Sequence, residues 1–330
     1  MTSTPHDSVF KAVFQQPEHA AAELQHVLPA DLAEAILWPS LTLEPGSFVD
    51  PELAGQHSDL LFSANASASG ERVLVYLLFE HQSTQDHRMA LRLLGYMLRV
   101  WTRYTQDHPD GPLPLIIPAV LAQVPGGWKS PTRFSELFSA DLGTLGRDAI
   151  PDFAYAVDDL HHTTDDDLRR RPLAEQAKLT LWLMRDIRDS SALLRNLVGW
   201  TDALETLARR PGGDDAFALL LHYIAFASDD LQLSEFRDIL RGRAPAAESL
   251  SMTIAEQLRA EGRIEGETKG RAEGQVEGKG AALLVILGAR GFHVSDDVQQ
   301  RIGACTDIEV LDHWIALAVS VPSADDIFKG

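Results

Sequence analysis

At 330 residues and 45% hydrophobic, the chain is long enough to bury a sizeable core and predicts more than one folding unit. Its formal charge of −19 argues against broad, non-specific contact with nucleic acid, though not against contact at a locally basic face. A single cysteine, Cys305, excludes an internal disulfide framework and a thiolate zinc site; with no signal core and no bilayer-length apolar run, the chain reads as soluble, cytoplasmic and without membrane contact.

His6-Asp7-Ser8-Val9-Phe10-Lys11-Ala12-Val13-Phe14 predicts an amphipathic helix, with Asp7 or Ser8 as N-cap and Phe10, Val13 and Phe14 on one face. A second helix is expected from Pro17 to Leu28 and a third from Pro29 to Trp38, each behind its own proline. A loop follows from Glu44 to Asp50. Ser58-Asp59-Leu60-Leu61-Phe62-Ser63 reads as a short strand, and the Ala, Asn, Ser and Gly residues from Ala64 to Glu71 as a turn. Val73-Leu74-Val75-Tyr76-Leu77-Leu78-Phe79 is an unbroken apolar run, the pattern of a strand covered on both faces. Strand, short polar loop and strand predict an antiparallel hairpin.

Met89 to Tyr104 is the clearest helix, and Pro114 to Val120 and Phe153 to Val157 are further strand candidates. From Asp166 to Leu240 the apolar spacing turns helical, as at Leu179, Leu181, Leu183 and Met184 and from Phe217 to Phe226. His161, His162, Asp165, Asp166 and Asp167 gather beside Thr163 and Thr164, which suggests a loop capping the next helix. Gly126-Gly127 marks a turn without the lysine and strand context of a phosphate loop.

Between Ala260 and Gly280 a glycine recurs every four residues, at Gly262, Gly266, Gly270, Gly274 and Gly278. Charged pairs such as Glu265 with Lys269 favour a helix, while each interior glycine costs about 1 kcal/mol against alanine. A solvated linker and a helix whose bare strip meets another backbone are equally consistent with this composition, and the second would assemble a homo-oligomer. A small helical unit closes the chain, with Leu283, Leu284, Ile286 and Leu287 facing Ile302, Leu311, Trp314 and Ile315. The expected organisation is an α/β domain over 1–165, a helical extension over 166–250, the glycine repeat over 251–280 and a helical unit over 281–330.

The chemistry gathers at the hairpin. Asp59 opens its first strand and Glu80 ends its second, so the two carboxylates can lie across adjacent strands about 4.8 Å apart. Acids that close repel unless a cation lies between them. A hard ion such as Mg²⁺ suits one or two carboxylates together with water and phosphate oxygens, and could activate a bound water toward a phosphodiester. Gln82 falls on the Glu80 face by strand alternation and could orient that water or donate to phosphate. The plainer reading is that Asp59 merely begins a strand and that Glu80 pairs with an arginine of the next helix; three polar residues converging at the mouth of a buried hairpin favour the site.

On the helix that follows, Arg88, Arg92, Arg99 and Arg103 fall at about 0°, 40°, 20° and 60° around the axis. Leu94, Met97, Leu98 and Trp101 are expected opposite. Such a stripe beside a metal site would hold a phosphate backbone, although on its own it is more often a solvated face. His6 and Asp7 are auxiliary candidates at the opening of the first helix, where a capping role is the plainer reading of Asp7.

The order Asp59, hairpin, Glu80-x-Gln82 resembles the PD-(D/E)XK nuclease core with glutamine in place of lysine. His6-Asp7-x-x-Phe10-Lys11, Leu28-Pro29, Ser58-Asp59, Phe79-Glu80-His81-Gln82-Ser83 and Arg92-x-x-x-Tyr96 resemble more specifically the Rpn family, also called YhgA-like transposases. The resemblance covers about the first 200 residues, and the glycine repeat with its helical tail is similar to the family's usual ending. It implies a restriction-endonuclease-like core and a metal-dependent DNA endonuclease that promotes recombination, linked to mobile elements or phage defence. Asp59 and Glu80 would then be metal ligands, with Gln82 in the lysine's place. The chain departs from the family at Ala122-Gln123-Val124, where a Tyr-His-Gly turn is expected. The alternative is a catalytically silent module of the same fold that binds DNA or protein and oligomerises through the glycine helix.

Overall fold

The computed structural model describes residues 5–45, 60–66, 72–80, 85–139, 148–228, 231 and 233–329, with 72–80, 261 and 265 described as backbone only. It divides into two compact units, Met1–Ile254 and Ala255–Gly330.

Three helices open the first unit: α1 (Pro5–Phe14), α2 (Pro17–Val27) and α3 (Ala30–Ala35). Helix α1 begins two residues before Asp7, so Asp7 and Ser8 lie inside its first turn and neither is the N-cap expected from the sequence. The third helix is also shorter than expected. Strand β1 (Ile36–Leu43) replaces its last turn, because Pro39 has no N–H for a helical bond and its ring crowds the residue before it. A proline is tolerated in β1 because the strand lies at the edge of the sheet.

Strands β2 (Leu60–Ala66) and β3 (Arg72–Glu80) form the expected antiparallel hairpin, in a register that sets Leu60 opposite Leu77. Helix α4 (Met89–Asp107) crosses to β4 (Leu115–Ala122), which pairs parallel with β3, and β5 (Ala156–Asp159) pairs parallel with β4. The sheet order is β1-β2-β3-β4-β5. Strand β4 is apolar throughout because both of its faces are covered. Ile116, Val120 and Ala122 pack with Met89, Leu93, Tyr96, Met97 and Val100 of α4. On the other face, Ala119 and Leu121 meet Phe10, Leu24 and Val27 of the N-terminal helices. Burying a Leu93 or Met97 side chain contributes about 2 kcal/mol. At its far end, α4 is tied to the approach of β4 by Trp101 Nε1, which donates to the Pro114 carbonyl at 2.9 Å, and Pro109 beyond His108 stops the helix.

Beyond the sheet the unit is helical, as its spacing predicts: α5 (Asp165–Arg170), α6 (Glu175–Asp186), α7 (Ser190–Arg209), α8 (Gly213–Ala227) and α9 (Leu233–Leu240). Thr164 caps α5 and exchanges hydrogen bonds with Asp167, so this part of the histidine–aspartate cluster is a capping box. Trp182 of α6 stacks on Trp200 of α7 with ring centres 5.4 Å apart.

Adjacent aspartates at the end of β5 turn to opposite faces of the sheet. Asp158 joins Glu23 of α2 around the buried guanidinium of Arg171, with contacts of 2.6 and 2.8 Å from Asp158 and 2.7 Å from Glu23. Burial, and then the charge of Asp158, push the Glu23 carboxyl well up, with Arg171 acting against them. Asp159, on the other face, accepts from Trp128 N at 2.7 Å. The turn preceding Trp128 is held from its other side by Gln85, whose amide donates to the Gly127 carbonyl and accepts from Lys129 N at 2.8 Å. The segments following β3, β4 and β5 are thereby joined at one edge of the sheet.

Helix α10 (Pro245–Ala289) contains the whole glycine repeat, so the helix is adopted rather than the linker. No atom outside the helix's own backbone lies within 4 Å of an added Cβ at Gly262, Gly266, Gly270, Gly274 or Gly278 among the described residues. In the second unit Leu283 and Leu287 of α10 pack with Ile302 of α11 (Asp296–Ala304) and Leu311 of α12 (Ile308–Ala318), joined by Leu284, Ile286, Trp314 and Ile315 as the spacing predicts.

Three stability predictions follow from the first unit. Replacing Arg171 by Met strands two buried carboxyls and is expected to cost about 3–5 kcal/mol in urea unfolding. Glu23→Gln is expected to cost far less. The folded protein keeps the Glu23 proton above the ordinary carboxyl value of 4.5, where the unfolded chain releases it, so this group's contribution falls as pH rises. The Gln variant therefore gains on wild type between pH 5 and pH 8; parallel midpoints across that range would contradict the assignment. At the turn, Gly126 and Gly127 have φ of 81° and 79°, but only a Cβ on Gly127 collides with the His162 ring and Asp159. Gly126→Ala is expected to cost about 1 kcal/mol for its left-handed backbone and Gly127→Ala distinctly more, read from the same unfolding curves.

Candidate functional site at the sheet edge

Strand β3 ends at Glu80, which is in register with Ala122 at the end of β4, and Ala122 is in register with Asp159 at the end of β5. The ends of three parallel strands thus form one edge. The opening of β2 lies at this edge as well, since Leu60 pairs with Leu77, three residues before Glu80. Asp59 and Gln82 lie outside the described residues, and Glu80 is described as backbone. Among the described residues no group of three His, Cys, Asp or Glu side chains could hold a metal ion.

The arginine stripe is largely an exposed face of α4. Arg88, Arg99 and Arg103 are exposed and Arg92 is half-buried, with its guanidinium 3.1 Å from Asp86. Asp86 also receives Arg88 N at 2.8 Å, which steadies the start of the helix. Arg99 reaches over the Tyr96 ring at 5.8 Å and Arg103 donates to Gln106 at 3.3 Å. Among the described residues neither pairs with a carboxylate. Leu98, expected on the buried side, is 60% exposed. The buried face is instead centred on Leu93, Met97 and Val100, which turns Leu98 outward while Met97 stays in the core.

His6 and Asp7 open α1, and His6 Nδ1 lies 2.6 Å from the hydroxyl of Tyr223 on α8. Gln123, where the family turn was expected to differ, is buried and donates its amide to the Met184 carbonyl. The departure from the motif therefore carries a packing role between β4 and α6.

Sequence reasoning missed the pairing of Asp159 with His162. Asp159 Oδ2 accepts from His162 Nδ1 at 2.7 Å, and the imidazole is 65% exposed. An imidazole oriented through one nitrogen can exchange a proton or contact a phosphate oxygen through the other. It borders a cleft of about 420 Å³ lined also by His26, Thr163, Arg170 and Arg171. Burial and the nearby Arg171 charge lower the His26 pKa from its ordinary value. The available sequence signal was an Asp and a His three residues apart directly after a strand, which is common at turns and therefore weak.

The family model described as "Putative transposase, YhgA-like" matches residues 4–211. The recombination-promoting nuclease RpnD of Escherichia coli O157:H7 is 32% identical over 269 residues, covering 78% of this chain and 95% of the relative. An inactive recombination-promoting nuclease-like protein of Escherichia coli K12, RpnE, is 31% identical over 79% of this chain and 83% of its own length. RpnA of the same strain, also named a recombination-promoting nuclease, is 29% identical over 79% of this chain and 85% of its own. No solved structure matches. With a model match over more than half its length and a 32% identical nuclease-named relative covering 78% of it, this chain belongs to the YhgA-like transposase family, alongside the Rpn recombination-promoting nucleases.

Proposed function

We propose that the chain is a metal-dependent DNA endonuclease with a PD-(D/E)XK core, and that it promotes recombination by hydrolysing phosphodiester bonds. The observation that carries this reading is the hairpin register. Leu60 pairs with Leu77, so the opening of β2 and the end of β3 belong to the same end of the sheet. In sequence Asp59 immediately precedes the first and Glu80 ends the second, with Gln82 two residues beyond. The order helix, three antiparallel strands, crossover helix and parallel strand is the frame such a site needs, and relatives named as nucleases support it.

Two carboxylates and an amide make a hard oxygen donor set, which suits Mg²⁺ better than a softer metal. When bound, such an ion supplies a more acidic water and charge stabilisation at the phosphate. Asp59 and Glu80 would hold it and Gln82 would orient the water. Arg88, just before α4, and Arg99 and Arg103 on it, all exposed, would hold the DNA backbone against an otherwise acidic chain.

A second reading is a silent binding module of the same fold. It is favoured by one observation, the similarity to a relative named inactive at an identity close to that of the nucleases. One experiment separates the two. Purified protein is expected to nick plasmid DNA with Mg²⁺, and Glu80→Ala to lower the rate by about a hundredfold or more at unchanged melting temperature. Equal residual cleavage by both proteins, together with no calorimetric Mg²⁺ or Mn²⁺ binding that depends on Asp59, would leave only the silent module.

A further inference from the structure

We propose that Lys129, on the turn that follows β4, contacts the phosphate being cleaved and supplies the positive charge that the neutral Gln82 does not. The catalytic part of this rests on the nuclease reading above; the contact between Lys129 and DNA does not.

The charges of such a site do not balance on their own. Asp59 and Glu80 carry two negative charges, which a divalent ion would cancel, and Gln82 adds none. A phosphodiester brings one negative charge and gains a second as water attacks. That growing charge is best met by a cation already fixed in place, all the more in a chain of net charge −19.

Most cations near the strand ends are already paired. Arg92 pairs with Asp86, Arg170 with Asp167 and His162 with Asp159, while Arg171 is buried between its two acids. Lys129 is exposed, and among the described residues its ammonium has no carboxylate partner. Arg88 shares that freedom. Its guanidinium fork suits a flanking phosphate gripped through two oxygens, whereas a compact ammonium suits one developing charge.

The backbone of Lys129 is held at the sheet edge from both sides. The Val124 carbonyl accepts from Gly127 N at 3.0 Å, closing a reverse turn with Pro125 and left-handed Gly126 at its corner. The turn begins two residues after Ala122, which is in register with Glu80, so the returning chain stays beside the end of β3. There Lys129 N donates at 2.8 Å to Oε1 of Gln85, a residue five positions beyond Glu80. The preceding Trp128 N donates at 2.7 Å to Asp159 at the end of β5. Neighbouring strands lie about 4.8 Å apart, a gap that the four-carbon stem of a lysine can cross. The ammonium rests over the turn, 3.6 Å from where a Cβ on Gly126 would stand.

Lys129 stays an ammonium throughout, donating to a non-bridging phosphate oxygen and neither losing nor gaining a proton. The water oxygen bonds to phosphorus and that water gives a proton to solvent. The bond to the leaving sugar oxygen breaks, and this oxygen keeps the electron pair and takes a proton from solvent.

The test begins with binding of the full chain to duplex DNA in EDTA, titrated with salt. Lys129→Ala is expected to weaken binding alike across sequences and to reduce the slope of log K against log salt by about one, at an unchanged melting temperature. An unchanged slope overturns the contact, whether or not the protein cleaves. In plasmid nicking with Mg²⁺, the same variant is expected to lose about a hundredfold in kcat with a much smaller rise in KM. Adding Gln82→Lys is expected to restore most of that loss, and to restore nothing to Arg99→Ala. Wild-type cleavage rates in Lys129→Ala, or no recovery with Gln82→Lys, would overturn the catalytic role while the nuclease reading stands. If wild type itself cleaves nothing, that reading and the catalytic role fall together, and the salt slope alone decides the contact.

Discussion

The first unit depends on a guanidinium held between two carboxyls out of reach of water. Arg171 follows the short helix α5, Asp158 belongs to the last strand and Glu23 to the second helix, so one side chain ties together three segments remote in sequence. Such a group is costly to desolvate and tolerable only when its donors are met. The structure meets its two terminal nitrogens with two carboxyls, leaving Nε without a partner among the described residues, and burial leaves one of the carboxyls, Glu23, able to keep its proton. With one acid neutral the cluster approaches charge balance, which makes it compatible with an apolar surround. The sheet cannot shift against the N-terminal helices without breaking this arrangement.

Strand alternation gives the neighbouring residue a different task. Asp159 faces the other side, where it accepts from Trp128 N and from His162. Gln85, just beyond β3, grips the same turn from its far side. Two adjacent acids at the end of a four-residue strand thus serve two networks, one fastening helices to the sheet and one shaping the edge where Glu80 ends. A rigid edge of this kind is what a site built from several strand ends requires, because catalytic groups must keep their mutual geometry while substrate binds.

The charge of the chain becomes intelligible at the level of faces. A total of −19 is unfavourable for DNA, yet α4 exposes Arg99 and Arg103, neither with a carboxylate partner among the described residues. Several acids elsewhere cap helices or pair with arginines, as Asp167 does with Thr164 and Arg170 and as Asp165 and Asp186 do with Arg185. The helical layer is acidic and largely self-paired, while Arg99 and Arg103 of α4 face solvent.

Wherever a local rule governs the outcome, the amino-acid sequence by itself determined the result. Unbroken apolar runs became β3 and β4, the turn-flanked hairpin formed, and the 3.6-residue spacing of the C-terminal leucines closed the second core. Family membership was likewise legible in local motifs, from His6-Asp7-x-x-Phe10-Lys11 to Phe79-Glu80-His81-Gln82-Ser83. Tertiary structure decided what depends on distant partners. It turned Ile36–Leu43 into an edge strand, since pairing with β2 compensates a proline that a helix interior does not tolerate. It turned Leu98 outward, since the sheet, not the helix pattern, selects which stripe of α4 is covered. It joined Glu23 to Arg171 across 148 positions and His6 to Tyr223 across 217. Periodicity reports which face of an element is apolar; only the packed chain specifies which polar groups meet, because long-range hydrogen bonds leave no local pattern behind.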